Sequence, residues 1–277
     1  MNNFARLQST LLRGLTYVCA ALTLGTLTFV IGYILLMGIP NFKPSLFSLT
    51  YNSTNVSLVP SLINTLLMTL LALLISAPLG VGAAIYLTEY AKRGNKLVGI
   101  VRVTAETLSG IPSIVYGLFG ALFMVAYLKL GLSLISGALT LAIMVLPLII
   151  RTTEESLKSV PDSFREGSFG LGAGKLRTVF RIVLPSALNG ILAGLILAIG
   201  RIVGETAALI FTAGTVPEVP SAFTGSARTL SVHMYILSNE GLHTEEAYAT
   251  AAVLLIIVVG INALSTYLAK KFAKGNA

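Results

Sequence analysis

Long apolar runs alternate with polar stretches along the chain. Six windows contain no Asp, Glu, Lys or Arg, apart from Arg201 and Glu205 within the fifth. Since about 20 apolar residues cross a bilayer as a helix, each window can hold one span. The predicted helices lie at roughly 15–39, 61–87, 109–128, 133–150, 187–213 and 248–269. The pattern therefore predicts an all-α, polytopic membrane protein with six transmembrane helices.

Composition agrees with this prediction. Of the 277 residues, 55% are hydrophobic and 11% are charged, and the mean hydropathy is +0.86. A soluble domain averages about 25% charged residues, so a soluble protein is excluded. The single cysteine, Cys19, excludes a disulfide-rich secreted protein. The net charge of +8 is consistent with basic loops that face anionic lipid headgroups, and no nucleic-acid partner is expected.

The distribution of basic residues predicts the orientation of the helices. Fifteen Lys and Arg residues lie in the terminal tails and in the alternate loops 88–108 and 151–185, against three in the loops on the opposite side. Because basic loops stay in the cytoplasm, both termini are expected there. The predicted domains are an N-terminal unit (1–57: tail, first helix and outside loop), a transmembrane domain (58–270) and a short cytoplasmic tail (271–277).

The most specific signal lies in the basic segment before the fifth span. Ser163 and Glu166 have the spacing of a capping box, which predicts a helix from about Phe164. The helix is expected to stop at 170–172, where glycine tolerates the left-handed conformation that closes a helix. A second short helix is predicted at about 173–183. The result is two short helices joined at an angle outside the membrane.

This segment resembles the EAA loop of ABC importer permeases. The matching residues are Glu166, Gly167, Ser168, Gly172, Leu184 and Pro185. Gly167 and Ser168 depart from the two alanines of the family pattern, although both are small. The resemblance implies an ATPase coupling loop, which docks into a groove of a cytoplasmic ATPase. The alternative is an ordinary basic helix pair at the membrane surface. We call residues 161–185 the EAA-like loop.

Three further segments resemble the permease subunits of phosphate ABC importers, of the PstA type. They are PLGVGAAIYLTEY at 78–90, GIPSIVYG at 110–117 and RIVGET at 201–206. The resemblance implies a bacterial cytoplasmic (inner) membrane protein that translocates phosphate. Its implied partners are a sister permease subunit, a cytoplasmic ATPase dimer, an external phosphate-binding protein and membrane lipid. The alternatives are a permease for another oxyanion, such as molybdate or sulfate, and an ion-coupled secondary carrier.

Arg201 and Glu205 are candidates for the substrate pathway. They are four residues apart, which predicts one helix face, and Arg201 would lie roughly 20 Å into the membrane. Ionisable groups at that depth are functional candidates by default, and arginine suits forked contacts with phosphate. Ser113 is a weaker candidate, in a Gly- and Pro-containing segment that could open backbone near the pathway. The alternatives are a structural ion pair and close helix packing.

No catalytic residue, cofactor or metal site is expected. The stretch 170–175 ends in Gly-Lys but lacks the spacing of a phosphate-binding loop, so ATP hydrolysis is expected on a partner. His233 and His243 have no metal-ligand neighbours in sequence and are expected on the solvated surface. Residues 226–237 are predicted to form an amphipathic helix on the outer interface, where a binding protein would dock.

Overall fold

The computed structural model describes residues 3–92 and 94–275, and the described part is helical with no strand. The main helices are α1 (Asn3–Gly38), α2 (Val59–Ile85), α3 (Lys96–Ser109), α4 (Ser113–Gly120), α5 (Leu134–Lys158), α6 (Asp162–Gly170), α7 (Lys175–Thr178), α8 (Leu184–Val203), α9 (Ala207–Thr212), α10 (Leu230–Glu240) and α11 (Thr244–Gly275). Wide π turns extend α2 over Tyr86–Tyr90 and α4 over Ala121–Tyr127, and join α7 to α8 over Val179–Val183. Two 3-10 turns, Ile39–Asn41 and Pro44–Phe47, follow α1.

The predicted fold class is confirmed. Five helical stretches among the described residues are long and apolar enough to cross a membrane, and a bent pair, α3 with α4, makes a sixth when it is counted as one span. The five are Gln8–Asn41, Val59–Tyr90, Leu134–Lys158, Lys175–Val203 and Thr244–Leu264.

The third span differs from the predicted helix at 109–128. Helix α3 occupies much of the predicted loop 88–108 and meets α4 at an angle of 102°. Pro112 precedes α4 in an extended conformation (ψ 140°), and proline also disfavours helical geometry in the residue before it. The Tyr116 hydroxyl donates to the Leu108 carbonyl at 2.8 Å across the bend. Charge-free windows missed α3 because its amphipathic sequence carries Lys96, Arg102 and Glu106.

The fifth span differs at both ends from the predicted helix at 187–213. It begins at Lys175, because the π turn Val179–Val183 continues α7 into α8. The second short helix predicted at 173–183 is therefore the first part of the span. Pro185 closely follows this π turn, and such local adjustments let a membrane helix tolerate a missing N–H. At the other end the helix stops at Val203, and three residues separate it from α9.

Helix α5 lies at the centre of the fold, packed against α2, α3, α4 and α8. Its buried side chains include Leu141, Met144 and Ile149. Small residues allow close approach: a Cβ at Gly80 of α2 would lie 2.6 Å from Ile149 Cγ2, and one at Gly194 of α8 would collide with the Thr152 hydroxyl. Without water to drive burial, such packing is a main source of helix association in membranes.

Candidate functional site

The EAA-like loop begins differently from its prediction. Helix α6 starts at Asp162, with Pro161 at the N-cap position and no side-chain cap hydrogen bond. The predicted capping box between Ser163 and Glu166 is therefore wrong. The Pro161 ring fixes the extended entry to the helix, and Asp162 in the first turn supplies the negative charge that the helix dipole favours.

The predicted stop of α6 at glycine is confirmed. Gly172 has φ +79°, a conformation that glycine adopts without penalty. The Gly172 N–H donates to the Phe169 carbonyl at 2.9 Å, and the Ala173 N–H donates to the Ser168 carbonyl at 3.1 Å. These two bonds form a Schellman motif, which fixes the angle at which the chain leaves α6.

The matched residues of the loop divide into inward and outward groups. Ser168 is buried, and its hydroxyl lies 2.8 Å from the hydroxyl of Thr178, so it joins the two arms of the loop. Glu166 and Gly167 are exposed, and Glu166 contacts no partner among the described side chains. Leu171, at the tip, is 92% exposed. The exposed surface of the loop thus presents the Glu166 carboxylate near the apolar side chain of Leu171.

Arg165 is a residue that sequence reasoning missed. Its guanidinium donates to the Glu89 carboxylate, with Nη2 2.7 Å from Oε1, and to the carbonyls of Leu157 and Val160 at 2.9 and 2.8 Å. The hydrogen bond to Glu89 raises the pKa of Arg165 above its ordinary value, and burial opposes the rise. Arg165 therefore fastens α6 to the ends of α2 and α5. The opposite charges of Glu89 and Arg165 are visible in the sequence, but residues so far apart along the chain cannot be recognised as a pair from the sequence alone.

A second ion cluster fastens α3 to α5. The Glu154 carboxylate is 8% exposed and lies 2.6 Å from Arg102 of α3 and 2.7 Å from Lys158. Two cations around one buried carboxylate offset its loss of hydration. The polar residues of α3 are therefore contacts of the helix bundle as well as surface groups.

The RIVGET segment is a break between two helices. Arg201 lies in the last turn of α8, and Glu205 follows the end of that helix. The predicted placement of both on one helix face is wrong, because the helix ends before Glu205. The Glu205 carboxylate accepts from the Ala208 N–H at 3.0 Å and so caps α9. Among the side chains that the structure describes, none makes an ion pair with Arg201.

The helix breaks beside the segments 110–117 and 201–206 lie where α4 packs closely on α9. A Cβ at Gly117 of α4 would lie 2.8 Å from the Ala208 Cα of α9, so the two backbones nearly touch. Ser113, half-buried, begins α4. The structure thus packs α4, which Ser113 begins, against α9, which Glu205 caps.

The region around α10 contradicts the surface position expected of His233. His233 is fully buried, with Nε2 3.2 Å from the Val56 carbonyl, and burial together with the charge of Arg228 lowers its pKa to about 3. His243 is partly exposed, 3.8 Å from Glu246. Helix α10 packs on α11 and α2, and its position at the outer interface stays a prediction.

Arg228 is also buried, 4% exposed, with its guanidinium 5.0 Å from the centre of the Tyr51 ring. Such a cation–π contact offsets part of the cost of burial. Within residues 3–92 and 94–275, no group of three His, Cys, Asp or Glu side chains has the arrangement of a metal site.

Comparison with known proteins identifies relatives of the whole chain. It is 34% identical over 278 residues to "Probable ABC transporter permease protein YqgI" of Bacillus subtilis strain 168, covering 92% of each chain. It is 33% identical over 261 residues to "Phosphate transport system permease protein PstA homolog" of Mycoplasma pneumoniae, covering 90% of this chain and 39% of the relative.

The fold also matches a solved structure. A bacterial ABC transporter involved in the import of the acidic polysaccharide alginate superposes with a TM-score of 0.64 at 18% identity, covering 95% of this chain and 99% of that chain. Residues 76–275 match the family described as "Binding-protein-dependent transport system inner membrane component". The chain therefore belongs to this family of ABC importer permeases.

Proposed function

We propose that the chain is the permease subunit that carries inorganic phosphate in such an importer, with energy from a separate ATPase. The observation that carries the proposal is Arg201, a cation at a break in a membrane helix with no carboxylate paired to it among the described side chains. An oxyanion that loses water inside a membrane needs such a positive charge beside it, because an unpaired charge there costs several kcal/mol. The PstA relatives support phosphate as the oxyanion.

Each pathway residue has a distinct proposed role. The Arg201 guanidinium, which can donate two parallel hydrogen bonds to an oxyanion, holds the substrate. Ser113, at the amino end of α4, adds a hydroxyl donor. Glu205 is a positioning residue: it caps α9 through the Ala208 N–H, which fixes how the chain continues after the helix end that carries Arg201.

The EAA-like loop is proposed to dock on the cytoplasmic ATPase. The exposed Glu166 and Leu171 would contact that partner, while the turn at Gly172 and the bond between Ser168 and Thr178 keep the two arms rigid. Leu184 and Pro185 begin α8, which is continuous with the second arm. A displacement of the loop would therefore reach the last turn of α8, where Arg201 lies.

The proposed assembly contains a sister permease, an ATPase dimer and an external phosphate-binding protein, within membrane lipid. Helix α1 contacts α11 and leaves most of its apolar surface exposed, which suits contact with lipid or the sister subunit. The excess of basic residues on one side supports an orientation with both termini in the cytoplasm. The proposed permease domain, 58–270, includes both breaks and the EAA-like loop.

Sulfate and molybdate are the alternative substrates, since both are oxyanions that a guanidinium can hold. The test is uptake into membrane vesicles that contain the chain with its sister permease, ATPase and binding protein. Radiolabelled phosphate should accumulate when ATP is supplied, and a tenfold excess of unlabelled sulfate or molybdate should leave its uptake unchanged. Accumulation of sulfate or molybdate in place of phosphate would overturn the proposed substrate.

A further inference from the structure

A basic cleft lies between the EAA-like loop, the end of α2 and the start of α3. It has a volume of about 810 Å³, within the usual range of small-molecule sites. Five cations line it: Lys92, Arg102, Lys158, Arg165 and Lys175. None of these residues belongs to the proposed substrate pathway.

Three of these cations are already paired. Arg165 makes ion pairs with Glu89 at 2.7 Å and with Asp162, the first residue of α6, at 3.2 Å. Arg102 and Lys158 share the Glu154 carboxylate. Among the described side chains, two carboxylates and five cations line the cleft, and Glu154 beside it offsets a third cation, which leaves an excess of two positive charges.

The excess is carried by Lys92 and Lys175. Neither ammonium group makes an ion pair with a side chain that the structure describes. The Lys175 Nζ lies 5.2 Å from the centre of the Tyr90 ring, two residues before Lys92 in the chain, so the two lysines approach the cleft from facing elements. The amino end of α3 also opens into the cleft at Asn95 and Gly99, and a helix amino terminus favours an anion.

We propose that this cleft binds a phosphate group, with Lys92 and Lys175 as its charge partners. Two excess positive charges match a phosphate monoester or inorganic phosphate, which carry nearly two negative charges at neutral pH. An anionic lipid headgroup also offers a phosphate group, with one negative charge when it is a phosphodiester such as phosphatidylglycerol. A phosphate held there bridges the end of α2 to the second arm of the EAA-like loop, and restrains the loop relative to α2. The proposal does not depend on the substrate proposed for Arg201.

The test is binding to the purified full-length chain in detergent, measured by native mass spectrometry. Inorganic phosphate and short-chain phosphatidylglycerol are titrated separately, with phosphatidylcholine as the lipid without net charge. The test variant is Lys92→Gln with Lys175→Gln. The matched control is Arg177→Gln with Arg181→Gln, which removes two exposed charges from the same arm outside the cleft.

In the Lys92 and Lys175 double variant, the dissociation constant of one ligand should rise about tenfold or more, as expected for two lost charge contacts. It should change less than about twofold in the control. An effect on inorganic phosphate identifies free phosphate as the ligand, and an effect on phosphatidylglycerol alone identifies a headgroup. Phosphate held at Arg201 would respond to neither double variant, which separates this test from the proposed function. Equal weakening in both double variants, or unchanged binding in the first, would overturn the proposal.

Discussion

Arg165 donates to the Glu89 carboxylate from both Nε and Nη2, with a shortest distance of 2.7 Å across 76 residues of sequence. The pair is a direct link between the EAA-like loop and the end of α2, and it is largely buried, with Glu89 8% and Arg165 15% exposed. Breaking such a pair leaves a poorly hydrated charge behind. The loop would then no longer move together with α2.

Glu89→Gln should therefore lower the amount of phosphate carried per ATP hydrolysed. It should also destabilise the protein by about 3 kcal/mol, as expected when one partner of a buried pair is removed. The measurement is uptake and hydrolysis in the same vesicles, with thermal unfolding of the purified chain. Glu155→Gln is the control, because the pair of Glu155 with Arg151 is more than half exposed on each side and contributes little. Equal effects of the two changes would show that the Glu89 link has no special role.

Gly167, inside α6, and Gly172, two residues after its end, should respond in opposite directions to alanine. Gly172→Ala should destabilise the loop by about 1 kcal/mol and reduce coupling, because φ +79° strains an L-residue. Gly167→Ala should stabilise α6 by up to about 1 kcal/mol, since a Cβ there meets open space. Hydrogen exchange at the amides of α6 measures both effects. Faster exchange in Gly167→Ala would contradict the assigned helix geometry.

The junction of α4 and α9 should be intolerant of side-chain volume. Gly117→Ala adds a Cβ 2.8 Å from the Ala208 Cα, so α4 and α9 must separate, at a cost of about 1–3 kcal/mol. Uptake should fall together with the melting temperature. Gly82→Ala is the control, because its Cβ meets nothing within 4 Å. A melting temperature of Gly117→Ala equal to that of the control would show that the two helices are not in close contact.

The buried His233 should make stability depend on pH. Its folded pKa of about 3 lies below the unfolded value of about 6.5, so the unfolded chain binds a proton that the folded chain excludes. Stability is then complete above about pH 6.5 and declines as the pH falls toward 3, by about 2 kcal/mol between pH 7.5 and 5. His233→Gln, which keeps a donor for the Val56 carbonyl, should remove most of this slope.

Thermal unfolding at several pH values measures the effect. His243→Gln is the matched control, because His243 is partly exposed and should leave the slope unchanged. A slope that survives in His233→Gln, or that disappears in His243→Gln, would contradict the burial of His233.

The sequence predicted the features that local chemistry decides. Charge-free windows located α2, α5 and α11, and the glycine at 172 marked the end of α6. Helix α3 before Ser113 was not predicted, because its charged residues exclude it from the charge-free windows. The break before Glu205 was not predicted, because residues 187–213 were interpreted as one span. The burial of His233 and the pairing of Arg165 with Glu89 also depend on contacts between distant segments. Arg201 and Glu205 were expected on one helix face, whereas the helix ends before Glu205.

The central claim is that Arg201 holds the substrate. Its most direct test is the uptake of radiolabelled phosphate into vesicles by Arg201→Gln, in a complex shown by purification to contain all its subunits. Gln keeps hydrogen-bonding capacity but lacks the charge, and losing a charged hydrogen bond to a dehydrated anion costs up to about 3 kcal/mol. Uptake should therefore fall about a hundredfold, while Glu205 continues to cap α9. Near-normal phosphate uptake by the assembled Arg201→Gln complex would contradict the claim.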